Sequence, residues 1–178
     1  MNCIDNKTKF VAAHLFVAER TKQKCYEFLK QVKDNCCNQI LAKYYVKKFT
    51  GIDKRIIFVS DKFGNYTSAW KKLFNRITKL RFGVPIACKK FGLKHNNNSV
   101  ERHNRELNRR FDALNVFQTH EGAQVTSTMS KILHNYVNPH SMLHGKTPAE
   151  KAELILPLGT NKLLGMIELA RKAEMTTS

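Results

Sequence analysis

Apolar residues recur at Cys25, Phe28, Leu29, Val32 and Cys36, that is at i, i+3, i+4, i+7 and i+11, the spacing of a helix that lays one stripe on a core. Thr21 stands where an N-cap belongs. A second helical stretch is expected over residues 38–49, stopping at Gly51 in the C′ position. Ahead of both, residues 1–4 read as a short strand leading to Asp5, residues 6–9 as a turn, and residues 10–17 as a second β-prone run, together a hairpin. Ile56-Ile57-Phe58-Val59 is a continuous apolar run ending at Ser60-Asp61. It suits a strand covered on both faces in a mixed or parallel sheet, with Asp61 at the carboxyl edge where open α/β sheets place ligands. Gly64-Asn65 breaks the chain. A helix is then expected from Thr67 or Ser68, its stripe made of Trp70, Leu73, Phe74, Ile77 and Leu80.

Residues 84–88 read as an edge strand, because Pro85 removes a ladder donor. After the polar loop at residues 96–99, Val100, Leu107, Phe111 and Leu114 recur at i, i+7, i+11 and i+14 on a long helix. Glu101 sits about 100° round from that stripe, at the rim of the core, and Arg102, Arg105, Arg109 and Arg110 form a cationic strip on the more exposed faces. A further helix is expected over residues 125–136. Thr147-Pro148-Ala149-Glu150 is a cap with proline at the first helical position, and a last short helix follows Leu158. This order of strands and helices predicts an α/β domain of three layers.

Charge changes the picture. Thirty-one Lys and Arg against fourteen Asp and Glu leave a net charge of +17 over 178 residues, one domain's length. A field of that sign favours a polyanion, with nucleic acid the first choice and an anionic membrane surface a distant second. Cys3, Cys25, Cys36, Cys37 and Cys88 are odd in number and form no C-x-x-C pair, which predicts reduced core thiols in an intracellular, soluble protein. A zinc site from Cys25, Cys36, Cys37 and the scattered histidines lacks the paired spacing such sites need. No apolar run approaches the roughly 18 residues of a membrane span, and the polar first residues are unlike a secretory leader.

Asp5 and Asp61 close apolar strands and Glu101 stands on a polar helix, which are the placements a two-metal phosphoryl-transfer site uses. Magnesium is a hard ion and takes carboxylate oxygens; two such ions activate the attacking oxygen and stabilise the leaving one. Taken singly, each residue has an ordinary explanation: a turn former or helix cap for the aspartates, an ion-pair partner for the glutamate.

Three longer segments add to this. Val59-Ser60-Asp61-Lys62-Phe63-Gly64-Asn65-Tyr66-Thr67-Ser68-Ala69-Trp70 resembles the second-aspartate segment of the DDE transposases of insertion sequences. The stretch from His95 through Asn96-Asn97-Asn98-Ser99-Val100-Glu101-Arg102-His103-Asn104-Arg105 to Arg110 is similar to their glutamate helix, and residues 136–150 are similar to the segment that follows it. The resemblance implies a ribonuclease-H-like mixed sheet flanked by helices, with additional C-terminal helices. It implies a catalytic core over residues 1–156 and a helical tail over 157–178, with Asp5, Asp61 and Glu101 as ligands of two Mg²⁺ or Mn²⁺ ions. It further implies cleavage at transposon ends and strand transfer into target DNA in a cytoplasmic, nucleoid-associated setting, by a homodimer or larger synaptic complex on DNA. Arg102, Arg105 and Arg109 are the expected DNA contacts, and Asn97 and Asn98 are expected to shape the loop before Glu101. The first strand is expected to be short and the family's helix-turn-helix domain to be missing ahead of Asp5. The alternative is therefore a remnant that binds nucleic acid without cutting it.

Overall fold

In a computed structural model that describes residues 1–61, 63–83, 98–113, 119–154 and 156–177, the chain is a mixed α/β protein. It divides into two units: Met1–Cys3 with Ala12–Val116, and Ile4–Val11 with Phe117–Ser178. Strands β1 (Asn2–Ile4) and β2 (Val11–His14) pair as the predicted hairpin.

The first unit is built around helix α1 (Lys22–Thr50). Thr21 accepts a hydrogen bond from the Lys24 N–H at 3.2 Å, and the helix ends at Gly51, whose φ of 72° is the left-handed conformation glycine adopts without strain. Both caps stand where the sequence puts them. The expected division into two helices is corrected: α1 runs unbroken for 29 residues. No glycine or proline interrupts residues 36–40, and Ile40 continues the buried stripe of Cys25, Phe28, Leu29 and Val32. That stripe meets Ala13, Ala69, Leu73 and Phe74 to form the core.

Strand β3 (Ile57–Ser60) leads into α2 (Gly64–Leu73) and then β4 (Lys79–Phe82). β3 and β4 run parallel with Ile57 opposite Lys79 and Ser60 opposite Phe82, which requires a crossover such as α2. Two expectations are corrected here. Helix α2 starts at Gly64, ahead of Thr67, and stops at Leu73, so Ile77 lies in a turn and Leu80 in a strand. Asn75 takes a positive φ of 32°, a conformation Asn tolerates better than most residues. Thr78, buried, receives the Trp70 indole N–H at 3.0 Å and folds the chain back. β3 is also less covered than a central strand, since Ile57 is exposed. At the entry to this pair, Asp53 joins Arg55 at 2.9 Å and Lys79 at 2.7 Å; Arg55 first and Lys79 second hold its carboxyl well below the usual range.

Helix α3 (Asn98–Ala113) buries Leu107 and half-buries Val100 and Phe111, as its stripe predicts. Among the described residues the sheets are two-stranded, β1-β2 and β3-β4; the larger ribonuclease-H-like sheet is not seen among them. The strand expected at residues 84–88, Leu114 and Cys88 lie outside the described residues. Among the described residues Cys3, Cys25, Cys36 and Cys37 form no disulfide; Cys25 is buried and the other three are half-buried.

In the second unit Thr119 caps α4 (His120–Ile132), accepting from the Gly122 N–H at 3.0 Å. The cap moves the helix start ahead of the expected residue 125. A π-helical turn, Leu133–Val137, continues it. Buried Asn135 in this turn accepts the Val11 N–H at 2.9 Å and donates to the Val11 carbonyl at 3.0 Å. The expected tail falls within this unit, and its helix α6 (Lys162–Thr177) has 16 residues, more than the short helix expected. Gly165 packs against the Leu158 backbone where a Cβ would collide.

The short helix α5 (Pro148–Lys151) opens with the predicted cap, completed as a capping box: Thr147 Oγ1 accepts the Glu150 N–H and Glu150 accepts the Thr147 N–H. Lys162 bonds the same carboxylate at 2.7 Å. Thr147→Ala is expected to destabilise the protein by about 1–2 kcal/mol, read as a lower urea midpoint. Lys162, then the Thr147 N–H, lowers the Glu150 carboxyl's pKa. Its contribution is therefore present above the ordinary glutamate value and fades as pH falls through the lowered one. Among the described residues no helix is long and apolar enough to cross a membrane.

Candidate active site

Asp61 directly follows β3, at the carboxyl end of the parallel pair, two residues before the Phe63 that precedes α2. This is the edge predicted for it. Its neighbours were not predicted. Arg20 Nη1 donates to Asp61 Oδ2 at 2.7 Å, with both side chains about half exposed (47% and 49%). The same guanidinium lies 4.5 Å from the centroid of the Phe63 ring, and the Arg20 carbonyl accepts from Asn65 Nδ2 at 3.0 Å. The hydrogen bond to Asp61 is the main cause of a raised Arg20 pKa. An ion pair this exposed stabilises by about 0–1 kcal/mol, so Arg20 is a weak occupant of the carboxylate.

Tyr66, which borders this loop, is half-buried and packs edge-on against Phe28 and Phe63. Burial pushes its phenol up to about 12, so it stays protonated and neutral at ordinary pH.

Asp5 lies in the second unit, exposed at the start of the hairpin turn. Its Oδ2 accepts from the Thr8 N–H at 2.8 Å and from Thr8 Oγ1 at 2.6 Å, while its own N–H donates to the Phe10 carbonyl at 2.9 Å. This is an Asx-type turn, the ordinary role of an aspartate after a strand.

Glu101 lies in the first turn of α3, where an acidic side chain favours the positive end of the helix dipole, and it is exposed. Asn104, one turn on, accepts from Asn2 Nδ2 at 2.7 Å. Arg102, Arg105 and Arg109 are all exposed; Arg109 pairs with Glu106 at 3.1 Å. Asn98 is the first residue of α3, and Asn97 lies outside the described residues.

No family model, curated protein or solved structure matches this chain.

The donor chemistry suits magnesium, since all three candidates are carboxylates at the surface. The observed side-chain positions do not form a ready metal centre: among the described residues no group of three or more His, Cys, Asp or Glu could hold a metal ion. Asp61 is bonded to Arg20, and Asp5 to Thr8. His140 and His144 flank a single 3₁₀ turn (Ser141–Leu143), His140 accepting from the Met142 N–H.

Arg20 and Asn65 are the site residues that sequence reasoning missed. Arg20 stands 41 positions before Asp61, and nothing local marks it. Thr8 was legible, because an aspartate followed three residues later by threonine fits a side-chain-closed turn.

Proposed function

We propose that this chain is the catalytic core of a DNA-cleaving and strand-joining enzyme of the DDE transposase kind, acting through Asp5, Asp61 and Glu101 with Mg²⁺ or Mn²⁺. The observation that carries the proposal is the position of Asp61 at the carboxyl end of β3 in a parallel strand pair, within the segment that resembles the transposases. The exposed arginines beside Glu101 support it.

Two ions held by these carboxylates would supply activation of the attacking oxygen and neutralisation of charge at the leaving one. The protein's own residues have simpler tasks. Asp61 and Glu101 would present carboxylates to the ions, Asp61 in place of its bond to Arg20, and Arg102, Arg105 and Arg109 would hold DNA phosphates nearby. Because two DNA ends must be joined, the working form is a homodimer or larger assembly on DNA. Incubation with branched DNA and Mn²⁺ should yield joined strands, and no product from protein that binds the same DNA would contradict the proposal.

Binding has its own test. Changing Arg102, Arg105 and Arg109 together to glutamine is expected to weaken duplex binding at every sequence. It should also flatten the plot of log affinity against log salt by about 1 per lost phosphate contact. Fluorescence anisotropy over a salt series measures both; a native slope in the triple variant would remove α3 from the interface.

A second reading, nucleic-acid binding without chemistry, is favoured by one feature: Asp61 and Asp5 already have partners, Arg20 and Thr8. It predicts DNA binding indifferent to Mg²⁺ and to Asp61→Asn.

A further inference from the structure

The last buried residue of α1 is Ile40, so residues 41–50 carry the helix roughly 15 Å further without burying any side chain fully. This overhang is aromatic. Tyr45 and Phe49 stack with ring centroids 6.1 Å apart and planes 27° from parallel, and Tyr44 meets Tyr45 edge-on at 5.7 Å. Phe49 is 79% exposed, Tyr45 45%, and Ile52 beyond the cap 57%. Every charged residue from 35 to 52 is a lysine: Lys43, Lys47 and Lys48. Lys48 lies three and four positions after Tyr45 and Tyr44, on the same face of the helix. The next acidic residue, Asp53, is bonded to Arg55 and Lys79.

The helix dipole accounts for lysines in a last turn, but not for two stacked rings left in water beside them. A second copy of the chain is a poor occupant, because a symmetric contact would set these lysines against their own counterparts. Unpaired bases complement both features: their faces stack on aromatic rings while the strand's phosphates meet the ammonium groups. We propose that the carboxyl-terminal end of α1 is a single-stranded nucleic-acid platform, with Tyr45 and Phe49 stacking bases and Lys47 and Lys48 holding the backbone. It needs neither the carboxylates nor a metal.

The test is anisotropy of a labelled thymidine oligonucleotide of roughly 12 nucleotides, a usual site size, in EDTA. Tyr45→Ala with Phe49→Ala should weaken binding about tenfold or more and leave the salt slope as it is. The double tryptophan variant should hold affinity or raise it, which an aliphatic docking surface would not do. Lys47→Gln with Lys48→Gln should lower the slope by about 1.4. Tighter binding of oligo(dT) than of oligo(rU) assigns the platform to DNA, and the reverse assigns it to RNA. Native affinity in the alanine pair, or equal binding of an abasic strand, would overturn the proposal. So would a dimer in sedimentation that the alanine pair disperses.

Discussion

Asp61→Asn is expected to lower metal-dependent strand cleavage by more than about 100-fold while leaving DNA binding at least as tight as in the native protein. Removing a residue that merely supports a metal ligand typically costs 10–100-fold, so loss of a ligand's charge should exceed that. The binding half of the prediction follows from the ion pair. Asparagine cannot neutralise Arg20, which sits 2.7 Å from the carboxylate, so the variant gains one positive charge on an already basic surface. Folding should survive, because a half-exposed pair contributes at most about 1 kcal/mol. Arg20→Gln is the informative partner. It removes the competitor for Asp61 and should keep cleavage or bring it on at lower Mg²⁺ concentration. Cleavage measured across a Mg²⁺ series separates the two variants, and an Asp61→Asn protein that cuts like the native one would exclude the aspartate from the chemistry.

Asn135→Ala should lower folding stability by about 2–5 kcal/mol, the largest effect expected of a single polar substitution here. The amide satisfies both the N–H and the carbonyl of Val11, and both residues are almost fully buried. Each buried polar group left without a partner costs about 1–3 kcal/mol. Asn135→Asp should fare little better, because a carboxylate offers no donor to the Val11 carbonyl and would bring a charge into the interior. Urea unfolding followed by circular dichroism measures the change; a loss below about 0.5 kcal/mol would mean that the freed groups find other partners.

The sequence was most legible where the signals were local. The stripe from Cys25 to Val32, the Thr21 and Gly51 caps of α1 and the Thr147-Pro148-Ala149-Glu150 box all rest on residues within a few positions of one another. Strand β4 was missed although Lys79-Leu80-Arg81-Phe82 alternates as a half-buried strand should. The helical spacing from Trp70 to Leu80 competed with that alternation, and only the fold-back at Asn75 and Thr78 decides between them. Asn135 could not be read at all: it looks like an ordinary polar residue of a helix, and its partner lies 124 positions away.

The candidate site divides the same way. That Asp61 closes a strand and that Glu101 opens a polar helix face followed from adjacent residues. The Arg20 contact did not, because it depends on α1 packing beside α2, a consequence of the whole core. Asp5 shows the opposite case: its turn was legible, yet the resemblance to the transposases drew attention to its carboxylate as a ligand.

Three carboxylates acting as one metal-dependent set are tested most directly by strand joining on branched DNA with Mg²⁺ or Mn²⁺. The native chain, Asp5→Asn and Glu101→Gln would be compared at matched DNA occupancy. The expected result is a joined product from the native chain that needs the metal and disappears in both variants while binding persists. A native chain that binds DNA and joins nothing, or variants that join as well as it does, would contradict a working DDE core.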